Sequence, residues 1–179
     1  MGTNKRVPVF VFMAVVAAIA VAHPIQSVAQ AEKWSVQVVR VDPGDVNLAS
    51  SFQIAIYENL VDELNKTRKF GQVFRDGDRK ASDSPNLLIL KTTVEKYTAG
   101  SETRRAVTTV SGATKLTVRS QLCGREGQVI EERIVAGDVR FMGSNLRATH
   151  NLAHNVAKSI KQLSLPKLPQ GAPAEGGQL

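Results

Sequence analysis

Two histidines four residues apart are the first side chains in this sequence whose spacing could do chemistry. His150 and His154 stand in "HNLAH", the interval at which one helix face offers two imidazoles to a zinc ion. A zinc peptidase of that kind needs a glutamate directly after the first histidine, to take a proton from metal-bound water. Asn151 stands there instead, and an amide cannot take that proton. His23 lies near the amino end, in a segment read below as a leader, so a third ligand would have to be a carboxylate. On a helical wheel Leu146, Leu152, Ala153, Val156, Ala157, Ile160 and Leu163 share one arc. His150 falls at the edge of that arc. His154 falls beyond it, beside Lys158 and Lys161, which oppose a cation. The pair reads as the boundary of a packing helix, and no metal, cofactor or catalytic residue is expected.

Other chemistry is sparser. Asp76 and Asp78 match the first two positions of a calcium loop, but Lys80 stands where a third ligand belongs. There is no G-x-S-x-G and no glycine-rich loop followed by Lys-Ser/Thr. Cys123 is alone, so no disulfide closes within the chain; it reads as a strand-end residue, with pairing between chains as the alternative. Arg104 and Arg105 fall in a turn and could hold a carboxylate or phosphate. With Lys115 and Arg119 on a nearby strand, they are the candidate partner- or anion-binding residues.

The elements that must position these groups follow from periodicity. "WSVQVVRVD", residues 34–42, reads as a strand ended by the turn "DPGD". Ser50 and Ser51 are N-cap candidates for a helix in which Phe52, Ile56, Leu60 and Leu64 repeat every four residues, with Gly71 as its stop. Val73 and Phe74 give a short strand, so strand, helix and parallel strand form a crossover unit. Residues 75–86 are a polar loop and 87–98 a strand, followed by a turn over 99–105. In "KLTVRSQL", Leu116, Val118 and Leu122 alternate with Lys115, Thr117, Arg119 and Gln121, the mark of a strand wet on one face. Residues 129–141 are another strand, with a bulge expected near Gly137. The histidine helix spans 145–163. Each helix has one apolar stripe, so the expected fold is α/β (α+β): a two-layer sandwich with a mixed, mostly antiparallel sheet of about five strands and two helices on one face.

The ends carry an address. Lys5 and Arg6 precede an apolar run over 7–22, followed by Pro24 and Ala29-Gln30-Ala31, the layout of a signal peptide over 1–31. Ala20-Val21-Ala22 is a second cleavage site. Retention as an anchor is the alternative, since a run of roughly 16 residues approaches the spanning range of about 17–25. No cysteine lies near the cut, so lipid anchoring is not expected. A single domain over 32–163 follows, then a Pro/Gly-rich tail over 164–179 expected to be disordered. Cleavage takes Lys5 and Arg6 from 23 basic residues and nothing from 16 acidic ones, leaving +5. That modest charge suits an anionic surface, a lipid headgroup or polysaccharide, although acids and bases are interspersed. Export and an aromatic content of 5% argue against nucleic acid.

In order and spacing the chain resembles the bacterial domain-of-unknown-function family 4410, exported proteins that are often lipoproteins. The likeness covers most of residues 34–163. It rests on Phe70 with Val73, the strand ending at Tyr97 and Gly100, Arg104 or Arg105, Gly112 in a hairpin and Gly127 in the next turn. It departs at Thr114, where the family has a second hairpin glycine, near Cys123, where it has an Asp, and in lacking a lipobox cysteine. More remotely the layout is similar to small α/β domains of envelope assembly factors, which act by binding proteins. The resemblance implies a periplasmic or extracellular, non-enzymatic adaptor with an envelope protein as partner. The alternatives are a domain binding an anionic small ligand or polysaccharide, and a hydrolase with an unrecognised site. Polysaccharide on the wet sheet face is disfavoured, since Lys91, Thr93, Lys115, Thr117, Arg119 and Gln121 include no aromatic platform.

Overall fold

The computed structural model describes residues 33–107, 112–140 and 144–168, apart from the side chain of Arg105. The expected leader, the anchor alternative and the last eleven residues of the tail lie outside these. The described residues belong to one compact unit, Ala31–Leu179, and none of their helices is long and apolar enough to cross a membrane.

Five strands, β1 (Ser35–Val38), β2 (Val73–Phe74), β3 (Leu87–Thr98), β4 (Thr114–Gly124) and β5 (Val129–Val139), form one sheet in the order β2-β1-β3-β4-β5. β1 pairs in parallel with β2 and β3, and the rest is antiparallel. The long helices α1 (Ser50–Thr67) and α4 (Arg147–Gln162) lie side by side on one face. This is the two-layer sandwich that the stripes require. Ile56, Leu60 and Leu64 of α1 meet Leu152 and Val156 of α4 over Val36, Val38, Leu88, Leu90, Leu116 and Val118, all of them buried. The other sheet face is left to solvent along β4, where Lys115 and Arg119 are exposed.

Several local expectations change. The turn over 99–105 holds a short helix, α3 (Glu102–Val107), and the polar loop holds another, α2 (Arg79–Asp83). The first long helix ends at Thr67, before Gly71, because Arg68 takes the left-handed conformation (φ 54). Thr67 closes that turn by donating its hydroxyl to Leu64 O and accepting from Lys69 N. Ser50 and Ser51 lie inside α1, and Ala49 at its N-cap makes no side-chain bond. The bulge in β5 is at Ile130, where the register with β4 shifts. Gly137 is regularly paired with Leu116. Its missing side chain serves packing: a Cβ there would sit 2.5 Å from Ala148 O and 2.6 Å from Leu152 Cα, both helix backbone. Only glycine lets α4 lie this close on β5.

Residues 164–168, the described part of the tail, make contacts with the domain. Trp34 Nε1 donates to Pro166 O at 2.9 Å, and Leu165 packs against the core. Lys69 Nζ reaches across to α4, donating to Lys161 O at 3.0 Å and to Leu163 O. A cation at carbonyls left over by a helix C-terminus completes that end. Burial lowers the Lys69 pKa.

Candidate functional site: a cleft and an open strand edge

The histidines point at an acid that the sequence did not single out. Glu63 of α1 is only 9% exposed along its side chain and lies between the two long helices. Its carboxylate meets Lys66 Nζ at 2.7 Å, His154 Nδ1 at 3.1 Å and His150 Nε2 at 3.7 Å. The Lys66 hydrogen bond lowers the Glu63 pKa most, against burial, and the two histidines add to it. Asn151 has its own work, donating to Asp138 O at 2.7 Å. Among the described residues no group of three or more His, Cys, Asp and Glu is arranged to hold a metal ion. The cluster fastens helix to helix.

The calcium-loop aspartates are used locally. Asp78 caps α2, accepting from Lys80 N at 3.0 Å, and Asp76 pairs with Arg40 at 3.2 Å. Cys123 is buried near the end of β4.

The four candidate binding residues do not form one cluster. Lys115 and Arg119 share the uncovered sheet face. Arg119 is already compensated there, 2.8 Å from Glu95, the extra residue of a β3 bulge, and 4.0 Å from Glu132 on β5. Arg104 is exposed on α3, with its N–H donating to Ser101 Oγ at 3.3 Å. The Arg105 backbone lies in the same helix, and its side chain is outside the described residues.

Two other features are better built. The first is the edge of β5. Gly124 N donates to Gln128 O at the hairpin, which fixes which facing pairs of β4 and β5 exchange hydrogen bonds. Beyond the Ile130 bulge, Glu132, Ile134, Ala136 and Asp138 are the alternate residues whose N–H and C=O point away from β4. Helix α4 guards the second half of this edge: Asn151 donates to Asp138 O and Asn155 to Ala136 O at 2.8 Å. Those asparagines sit four apart, matching carbonyls two apart. Among the described residues the first half has no such cover, and Ile134 beside it is 67% exposed.

The second feature is a cleft of about 530 Å³ at the carboxyl ends of the parallel strands β1 and β2, under the first half of α1. Three segments far apart in sequence line it: Arg40 and Val41 after β1, Gln53, Ile54, Tyr57 and Glu58 on α1, and Arg75 and Asp76 after β2. Arg75 forks onto Glu58 at 2.6 and 2.7 Å and lies 5.9 Å from the centre of the Tyr57 ring. Tyr57 Oη accepts from Asp76 N at 2.8 Å. The Arg75 hydrogen bond holds the Glu58 carboxyl below its ordinary range.

Neither a protein-family model nor a curated protein matches this sequence. Solved structures share its fold. A leucine-to-methionine variant of the PelC dodecamer from Paraburkholderia phytofirmans superposes with a TM-score of 0.51 at 15% identity, covering 69% of this chain and 86% of that one. The PelC dodecamer from the same organism, in another crystal form, does so at 12% identity and the same coverage. A hypothetical protein from Chlamydia trachomatis covers 72% of this chain and 96% of its own, with 10% identity and a TM-score of 0.47. At these identities the likeness is one of fold.

The sequence contained signals for both features, in a form that a linear reading misses. Asn151 and Asn155 repeat at helical spacing just outside the apolar arc. Tyr57 lies beside the α1 stripe, where it reads as core.

Proposed function

We propose that this chain is a non-enzymatic accessory protein of the bacterial envelope, exported by a leader over 1–31, which binds an extended segment of a protein partner along the open half of β5. What carries the reading is the division of one strand edge into a guarded and an open half. Free strand edges invite pairing, and folded proteins usually block them. Here α4 spends two asparagines on Ala136 and Asp138, while the outward groups of Glu132 and Ile134 are left for an incoming strand. Strand addition draws affinity from main-chain bonds and specificity from neighbouring side chains. Ile134 supplies an apolar contact beside them, and the Glu95–Arg119–Glu132 row a polar one. The resemblance to family 4410 supports the envelope setting. Arg104, Arg105 and Lys115 are the groups for an acidic part of the partner or an anionic surface.

A second reading makes the incoming segment part of another copy of the chain. It is favoured by the PelC dodecamer, in which a chain of similar fold assembles with itself.

Ile134→Pro tests both readings. Proline removes an N–H that β4 does not use and is tolerated on edge strands, so the ladder to β4 stays intact. Immobilised wild-type protein should capture a partner from envelope extracts, or associate with itself by native mass, and the variant should do neither while melting normally. A folded variant that binds as well as wild type would remove the edge from the mechanism.

A further inference from the structure

We propose that the cleft between α1 and the carboxyl ends of β1 and β2 is a binding site for a neutral saccharide, separate from the strand edge on the far side of the sheet. The lining combines an apolar platform with paired polar groups. Ile54, 61% exposed, projects from α1 beside the half-buried Tyr57 ring, and Val41 lies at the base. Around them stand two ion pairs, Arg75 with Glu58 and Arg40 with Asp76.

The pairing decides the charge class of the ligand. Both guanidiniums already hold a carboxylate, so the four charges cancel. At the Arg75–Glu58 pair an anion would have to displace Glu58 from a two-bonded fork, and a cation would have to displace Arg75. A neutral polyol displaces nothing. Its hydroxyls donate to a carboxylate oxygen and accept from the neighbouring guanidinium, bridging each pair as it stands. Arg40 uses Nε on Asp76, which leaves its terminal nitrogens free of that bond. Tyr57 Oη accepts a bond from Asp76 N and can still donate its own proton. The C–H face of a sugar ring is the part that suits Ile54 and the Tyr57 ring. An apolar lining with a few placed polar groups is the general character of small-ligand sites, and about 530 Å³ lies within their usual size. The open sheet face has no aromatic platform among its described residues; the cleft has the Tyr57 ring, with the Arg75 guanidinium over part of it.

The test is saturation-transfer NMR on the full-length protein with neutral glucose and N-acetylglucosamine tetraoses, against a galacturonic acid tetraose and inorganic phosphate. Saturable binding of a neutral oligosaccharide is expected, with no comparable binding of the two anions. Ile54→Asp places a charge on the platform at an exposed position where the fold is not at risk. It should weaken binding at least tenfold, about 1.4 kcal/mol. Tyr57→Phe, which keeps the ring but loses the hydroxyl, should weaken it less than Tyr57→Ala. Failure of every neutral oligosaccharide to saturate, stronger binding of either anion, or an Ile54→Asp protein that binds normally would overturn the site. Capture of a protein partner by Ile54→Asp should match wild type, so the two proposals fail separately.

Discussion

Gly137→Ala should be among the most damaging single-methyl changes in the molecule. The added Cβ would lie 2.5 Å from Ala148 O and 2.6 Å from Leu152 Cα, and nearer still to Leu152 N. Ordinary contact begins near 3.4 Å, so α4 and β5 must separate by about 1 Å, a gap that already forfeits a quarter to a half of each dispersion contact. All three clashing atoms are helix backbone, so no side chain can swing aside and α4 must move as a unit. It carries Ala148, Leu152, Ala153, Val156, Ala157 and Ile160 in the core. The same movement stretches the bonds from Asn151 and Asn155 to β5. Overpacking costs about 1–3 kcal/mol and each of the two weakened hydrogen bonds about 0.5–1.5, giving roughly 2–6 kcal/mol in all. Urea unfolding of the full-length protein, followed by far-ultraviolet circular dichroism, measures it. Gly127→Ala is the control. Gly127 has φ +87 and open space where a Cβ would go, so it should lose only the left-handed strain of about 1–2 kcal/mol. A Gly137→Ala protein within about 0.5 kcal/mol of wild type, or less perturbed than Gly127→Ala, would refute the packing argument.

Leu60→Ala should cost about 2–5 kcal/mol, read in the same unfolding experiment, because Leu60 is fully buried between α1 and the rest of the core. Acid should weaken the cluster around Glu63, first its bond with Lys66 on α1 and then those with the α4 histidines. The Glu63 pKa is lowered in the fold, so its contribution is complete above the ordinary carboxylate value of 4.5 and is lost as pH falls through the depressed one. Glu63→Gln should flatten that part of the stability–pH curve, and an unchanged curve would show that the contacts with Lys66, His150 and His154 contribute nothing. Arg104→Glu combined with Arg105→Glu should weaken partner capture while shifting stability by no more than about 0.5 kcal/mol; loss of folding would make the arginines structural.

The layers of this fold are plain in the sequence wherever a side chain's periodicity reports its burial. Ile56, Leu60 and Leu64 repeat at helical spacing, and Leu116, Val118 and Leu122 alternate, because each set faces one core from a regular element. Features set by backbone meeting backbone leave no such trace. Gly137 has the composition of a bulge and the job of a contact. Arg68 ends a helix where Gly71 looked better suited, since a threonine hydroxyl and not a glycine shapes that turn. α3 is too short for its period to show. Glu63 stands in a polar stretch between Asp62 and Leu64 and finds its histidines some ninety residues later. The cleft is drawn from residues near 40, 57 and 75, none of which suggests a site until β1, α1 and β2 are brought together. Arg119, which did look like a site, is answered by Glu95 and Glu132 from strands on either side.

The bond from Trp34 to Pro166 also fixes a direction. It gathers the first residue before β1 and the last turn after α4 at the amino end of β1, whereas the cleft opens at the carboxyl end of that strand. Entry and exit of the domain therefore share one pole, and the cleft lies toward the other. A support attached at residue 33 or at residue 168 would sit at the same pole, so either attachment should leave the cleft equally accessible. The domain should also tolerate relocation of its chain ends, since a short linker could join 33 to 168 without crossing the sheet.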